Sequence, residues 1–328
     1  MMKNILDINN CSRLILHILI FVILISIFHE VLVQGETKKE KTAQRSIAMT
    51  IDDLPVVRGK NITRMQKITS DLLRKVSAHK IPAVGFVNEQ KLGEPKPLPE
   101  RIALLQKWID TGFELGNHTY SHPWFYTTPL AEFKAEVLKG DTVMRPMLEA
   151  KGKSLRYFRH PQLNTGPDRA TKEAFESFLK EKGYVIAPVT IDNSEYIYAL
   201  AYDKAEEAKD KTLMNRIGID YLAYMNIVLE FYEQLSLESL GREPAQILLI
   251  HANALNADWM DQLVAMIQAR GYQFITLEQA LKDPVYALPD TYTGKQGISW
   301  IQRWRISKGG QMKEEPKVTA WVDIYAHK

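Results

Sequence analysis

The sequence predicts an α/β fold in which parallel strands are wrapped by helices, with about seven strand–helix units where a complete barrel has eight. Two observations predict it. Short apolar runs alternate with amphipathic helical stretches, the rhythm of strand–crossover–strand units. The polar residues suited to chemistry fall where the apolar runs end, and the strands of a parallel barrel all open on one face at their carboxyl ends.

Taken in order, residues 46–51 form the first strand, and 62–78 a helix in which Ile62, Met65, Ile68, Leu72 and Val76 recur at three or four positions. A strand at 83–87, a helix at 99–110 and a strand at 113–117 follow. Residues 129–150 read as helix, broken near Pro146; 155–159 as strand; 168–182 as helix with Asp168 as cap; and 184–191 as strand. Between 197 and 245 the rhythm gives way to a helical insertion. Its charged first part, 203–211, reads as a solvated face, and its second, 217–235, as packing on the barrel. The pattern resumes with strand 246–251, helix 257–270 stopped by Gly271, strand 272–276 and helix 277–282. From 284 to 328 the chain reads as an irregular extension lying over the domain, mobile at 308–317.

The apolar run 14–28 stands behind Lys3 and Arg13, the pattern of a secretory signal with cleavage after Gly35. Extended to Val33, it approaches the length of an uncleaved anchor, although His29 and Glu30 interrupt it. Residues 1–35 are therefore signal peptide or anchor and 36–45 a Lys-rich linker, ahead of a domain at 46–283. Either way the remainder is exported: periplasmic, extracellular, or held on the outer side of a membrane through the N-terminal segment alone. The one cysteine, Cys11, lies in that leader, so any bound metal must be held by nitrogen and oxygen. A net charge of +3 with no basic run interleaved with aromatics argues against nucleic acid as a partner. Asn61 and Asn117 open glycosylation sequons, a weak three-residue pattern.

His118 and His122 lie four positions apart, a spacing that suits one metal ion on a short turn closed by Pro123. Of the eight histidines, four (His118, His122, His160 and His251) lie at strand exits. Asp52 and Asp53 end the first strand, Arg159 the fourth, Asp192 the fifth and His251 the sixth. A paired Asp before Leu-Pro also reads as a turn or cap. Alternatively, one carboxylate binds a cation while its neighbour reaches a water on that cation, the arrangement of an open catalytic zinc site.

In these residues the chain resembles the NodB-like polysaccharide deacetylases, metal-dependent esterases that remove N- or O-acetyl groups from chitin, peptidoglycan or xylan. Five motifs carry the resemblance: Thr50-Ile51-Asp52-Asp53, His118-Thr119-Tyr120-Ser121-His122, Arg159-His160-Pro161, Asp192-Asn193-Ser194-Glu195-Tyr196 and Leu249-Ile250-His251. It implies a distorted (β/α)7 barrel and a divalent cation, zinc first with cobalt or nickel as alternatives, held by Asp53, His118 and His122. It implies Asp52 as the base acting on a metal-bound water, Arg159 as its orienting partner, His251 as the acid and Asp192 as the group tuning that acid. The cation and a backbone N–H would hold the oxyanion, each good donor contributing about 3–4 kcal/mol. His160, Pro161, Tyr196 and Leu249 are the expected substrate contacts, and the partner is an acetylated carbohydrate. Leu54, Gln162, His160 and Tyr196 depart from the family's usual residues. An amidase or esterase of the same fold acting on a small acyl compound, and a non-catalytic carbohydrate-binding protein, are the alternatives.

Overall fold

The computed structural model describes residues 45–59 and 61–328. The leader and all of the linker except Arg45 lie outside the described residues. Arg45 itself opens the first strand, β1 (Arg45–Leu54), which runs past the two aspartates that were expected to follow it. Its core residues Ile47, Ala48, Met49 and Ile51 are at most 1% exposed, because strands flank β1 on both edges and helices cover the sheet.

Among the described residues the sheet has 7 strands, all paired in parallel. They are β1, β2 (Val84–Val87), β3 (Glu114–Asn117), β4 (Tyr157–Phe158), β5 (Val185–Ile186), β6 (Gln246–His251) and β7 (Tyr272–Phe274). The order is β5-β4-β3-β2-β1-β6, with β7 joined to the start of β1. Ile47 pairs with both Gln246 and Phe274, so β6 and β7 lie on opposite edges of β1. A short bridge, Ile191 to Leu248, together with bonds from Thr190 N and Ile191 N to Ile247 O, links the stretch after β5 to β6. The expected distorted seven-stranded barrel is therefore what forms.

Helix α1 (Ile62–Ala78) has the predicted bounds. Met65, Ile68, Leu72 and Val76 are buried on one face, each contributing about 1.5–3 kcal/mol by leaving water. Asn61 caps it, its side chain accepting from Arg64 N. Helix α2 (Pro99–Asp110) also matches its prediction. The predicted helix 129–150 is two, α3 (Leu130–Lys139) and α4 (Met144–Glu149). The break falls ahead of Pro146, where buried Glu89 accepts from Val143 N and Met144 N and satisfies the amides that open the second piece. Helix α5 (Arg169–Glu181) starts on Asp168, as expected of a cap.

The insertion forms α6 (Glu195–Glu207) and α7 (Lys211–Leu240). Its charged first part is not simply a solvated face: Asp203 is 4% exposed and pairs with Arg64 at 2.5 Å, tying α6 to α1. Helix α8 (Ala254–Ala269) begins three residues earlier than predicted because Asn253 caps it, accepting from Asn256 N. Gly271, at φ +86°, turns the chain into β7. A short α9 (Leu277–Ala280) follows.

The extension is not irregular, as the sequence suggested. It contains α10 (Trp300–Ser307) and α11 (Ala320–His327) and belongs to the same compact unit as the barrel. Ile301, Trp304 and Val322 are at most 1% exposed, so their apolar faces drive the docking that local Gly and Pro signals obscured. The stretch expected to be mobile is held by Gln302, which donates to Lys313 O, and by Glu315, which accepts from Tyr232 at 2.7 Å. Asn117 is fully buried and spends its side chain on Val137 O and Tyr184, which removes it as a glycan acceptor.

Candidate active site

The carboxyl ends of β1, β3 and β6 converge on a cavity of about 720 Å³ lined by Asp52, Asp53, His118, His122, His160, Asp192, Tyr196, Leu249 and His251. Parallel register does the gathering. Asp52 pairs with His251 across β1 and β6, while Asn117, next to His118, pairs with Val87 on β2.

Asp53 takes φ +70°, a left-handed conformation that turns the chain out of the strand and brings it to His122, while both neighbouring carboxylates reach His118, Asp52 Oδ2 lying 3.7 Å from its Nε2. Asp53 Oδ1 lies 3.9 Å from His118 Nε2 and 3.8 Å from His122 Nε2. One ligand atom from each of the three residues falls within 4.8 Å of the others. Thr119 (φ +66°), His122 (φ +63°), Gln162 (φ +48°) and Leu163 (φ +53°) share the left-handed region, and such strain is characteristic of functional loops.

The imidazoles are oriented from behind. His118 Nδ1 lies 2.8 Å from Arg159 O, a main-chain acceptor, which puts the proton on Nδ1 and leaves Nε2 as a lone pair facing Asp53. His122 Nδ1 lies 2.8 Å from the Gln162 carboxamide. Burial lowers the pKa of both rings, that of His118 furthest, so each is a neutral donor near pH 7. Lys91, a residue without a motif, reaches Asp53 Oδ2 at 3.2 Å. Although burial opposes it, the charge of Lys91, with that of protonated His251, favours the ionised form and holds Asp53 well below the usual carboxylate range.

Asp52 is 2% exposed, and burial pushes its pKa up to about 6 against the opposing pull of Arg159 and His251. Arg159, wholly buried, approaches Asp52 Oδ2 at 3.7 Å, donates to Thr50 Oγ1 at 2.8 Å and rests 4.8 Å above the Phe86 ring. Thr50 in turn donates to Leu248 O, which fixes the guanidinium to the β1–β6 seam.

The hydrogen-bond partner of His251 is a residue to which no role was assigned: Glu195, 2.8 Å from Nδ1, while Asp192, expected to tune the acid, interacts with His251 through charge alone. The reason is local: α6 begins at Glu195, whose amide is caught by Asn193 Oδ1 while Asn193 Nδ2 holds Leu249 O, and this turns Glu195 toward β6. Asn253 and Asn256 both donate to the other oxygen of Glu195. Burial works against charge on His251, but the attraction and hydrogen bond of Glu195 prevail and raise its pKa to about 9. Asp192 stays in the cavity wall, where burial and the nearby Glu315 push its carboxyl up to about 7.

Of the expected substrate contacts, Tyr196 is half exposed on the rim and Leu249 lines the floor. His160 lines the cavity as well but is 1% exposed, packed edge-on against Phe158 and Phe175. Pro161 is buried and is not among the lining residues. Further wall comes from Gln162 beside the third motif and from parts of the chain that carry no motif, among them Arg58, Trp124, 295–298 and 312–315. Their only signal was aromatic and polar residues in a segment with no other assigned work.

The chain is similar to several known proteins. The polysaccharide deacetylase family model matches residues 39–180. The uncharacterized 30.6 kDa protein in the fumA 3′ region of Geobacillus stearothermophilus is 25% identical over 68% of this chain and 69% of its own length. A chitin deacetylase of Pestalotiopsis sp is 25% identical over 47% of this chain, which spans only 45% of that protein. The polysaccharide deacetylase Bc1974 from Bacillus cereus superimposes over 71% of this chain and 91% of its own, at 17% identity and a TM-score of 0.49. Over residues 39–180, which carry the first three of the five motifs, the chain is similar to the polysaccharide deacetylase family.

Proposed function

We propose that this protein is an exported, cation-dependent hydrolase that removes acetyl groups from an acetylated carbohydrate. The observation that carries the reading is the convergence, at one end of the barrel, of a buried carboxylate, a partly buried imidazole tied to a glutamate and an Asp/His/His cluster.

The cluster suits a divalent cation. Asp53 Oδ1 is buried without a hydrogen-bond partner, and two neutral imidazoles face it through Nε2. Three N/O donors with an open side fit zinc, with cobalt or nickel as alternatives. A cation held by Asp53, His118 and His122 would polarise an acyl oxygen and make a water acidic enough to attack near neutral pH.

The chain's own groups account for the proton movements. Asp52, ionised above about pH 6, accepts the proton of the water that attacks the acetyl carbon, and Arg159 keeps that carboxylate charged and aimed. His251, protonated up to about pH 9, gives its proton to the amine nitrogen or alcohol oxygen as its bond to the carbonyl carbon breaks. The products are acetate and the free amine or alcohol. Tyr196 offers a ring face on the rim against which a sugar can lie.

A second reading has support from the walls. Residues 295–298 and 312–315 narrow the cavity, which favours a short oligosaccharide, or a small acylated compound that is not a sugar. The test is acetate release by the zinc-loaded protein from chito-oligosaccharides, acetylated xylo-oligosaccharides and simple N-acyl amines. Chelator-sensitive release from the sugars supports the first reading and release from the amines alone the second. Zinc binding with no release from any of them would leave a carbohydrate-binding role. Cell fractionation checks export.

A further inference from the structure

The two imidazoles of the proposed cation site are held in unlike ways. His118 Nδ1 faces a main-chain carbonyl, which can only accept, so its Nε2 is a permanent lone pair. His122 Nδ1 faces the amino group of a carboxamide, Gln162 Nε2, which also donates to His122 O at 3.3 Å and gives way to the acceptor oxygen on a half-turn of the last side-chain torsion. A neutral imidazole has one proton. When Gln162 presents its amino group, that proton sits on Nε2 and points at Asp53 Oδ1, 3.8 Å away, where it closes the ligand position. When Gln162 presents its oxygen, the proton moves to Nδ1 and the Nε2 lone pair faces Asp53.

Gln162 is fixed in place to do this. It holds φ +48° and Leu163 φ +53°, in a tight turn directed back at the His122 loop. Asn164 Nδ2 donates to Gly294 O and Lys295 O, both at 3.0 Å. Buried Arg303 donates to Leu163 O and to Ile298 O. Gly297 packs backbone to backbone on the turn: a Cβ there would lie 1.7 Å from Gln162 O. The C-terminal extension thus clamps the residue that faces a metal-ligand candidate.

We propose that Gln162 is a positioning residue whose carboxamide selects the His122 tautomer and so sets cation affinity. The inference rests on Asp53, His118 and His122 holding the cation. The experiment titrates the full chain with Zn2+ against a chromophoric chelator for wild type, Q162L, Q162E and H118A, and reads His122 ring 15N shifts with and without zinc.

Q162L is expected to bind zinc about 10–100-fold more weakly, the usual cost of removing a partner behind a ligating histidine. Q162E, which can only accept, is expected to bind more tightly than wild type, with His122 protonated on Nδ1 even without zinc. In wild type the proton is expected on Nε2 without zinc and on Nδ1 with it. Zinc affinities of Q162L and Q162E within about threefold of wild type, while H118A binds none, would overturn the role of Gln162 and leave the site standing. A wild-type His122 already protonated on Nδ1 without zinc would overturn the tautomer selection. Absence of zinc binding by wild type would overturn both.

Discussion

Asp52 and His251 are register partners on β1 and β6, joined by a main-chain bond from Ala252 N to Asp52 O at 3.0 Å. The two groups proposed to move protons therefore share one backbone ladder, and loop motion does not change their separation. That arrangement makes their roles separable by substitution.

Asp52→Asn keeps shape and removes the accepting charge. Turnover is expected to fall about 10²–10⁴-fold, the usual worth of a positioned acid or base, while zinc content stays that of wild type. Metal analysis alongside acetate release checks it; unchanged turnover would remove Asp52 from the mechanism.

The pH dependence has a definite sign. Asp52 must be ionised and His251 protonated, so kcat/KM is expected to rise through an acid limb and fall through an alkaline limb near pH 9. The acid limb belongs at or below about 6, since a bound cation further favours the carboxylate. Glu195→Gln removes the charge that raises His251, so the alkaline limb is expected to move down by about one pH unit or more. Asp192→Asn, which removes no bond to His251, is expected to leave that limb in place. Movement with Asp192→Asn but not with Glu195→Gln would reverse the assignment.

Chelation should be visible without substrate. A cation that binds only the folded chain adds about 2.7 kcal/mol at a hundredfold excess over its dissociation constant. Differential scanning of wild type with and without zinc is expected to reveal this as a higher melting temperature. His118→Ala is expected to melt at the same temperature in both conditions.

Gly297→Ala tests the clamp. The added methyl has no room against Gln162 O, and relieving such overlap typically costs about 1–3 kcal/mol. Denaturant unfolding is expected to record that loss. An unchanged midpoint would mean that the extension yields freely at this point.

How much of this was legible in sequence varies by kind of contact. Periodicity marked α1 and α2 to the residue, because their faces are strongly amphipathic or Pro-initiated. His118 and His122 were readable from their local spacing, whereas the choice of Asp53 over Asp52 beside them came only from the family resemblance. Glu195 was quoted within a motif yet unassigned: which of two carboxylates three residues apart reaches His251 depends on where α6 starts, and the Asn193 turn decides that. Lys91 and Gly297 had no signal, since each acts through a neighbour brought close only by folding. The helices of the extension were hidden because their apolar faces make sense only against α6 and α7.

The wall formed by residues 295–298 and 312–315 also has a consequence for biosynthesis. The ribosome makes those residues after every candidate ligand, acid and base, so a nascent chain holds the reactive groups before it holds their enclosure. A stalled translation product or a clipped polypeptide would keep all five motifs yet leave the cavity open on that side, and the motifs alone would not reveal the damage.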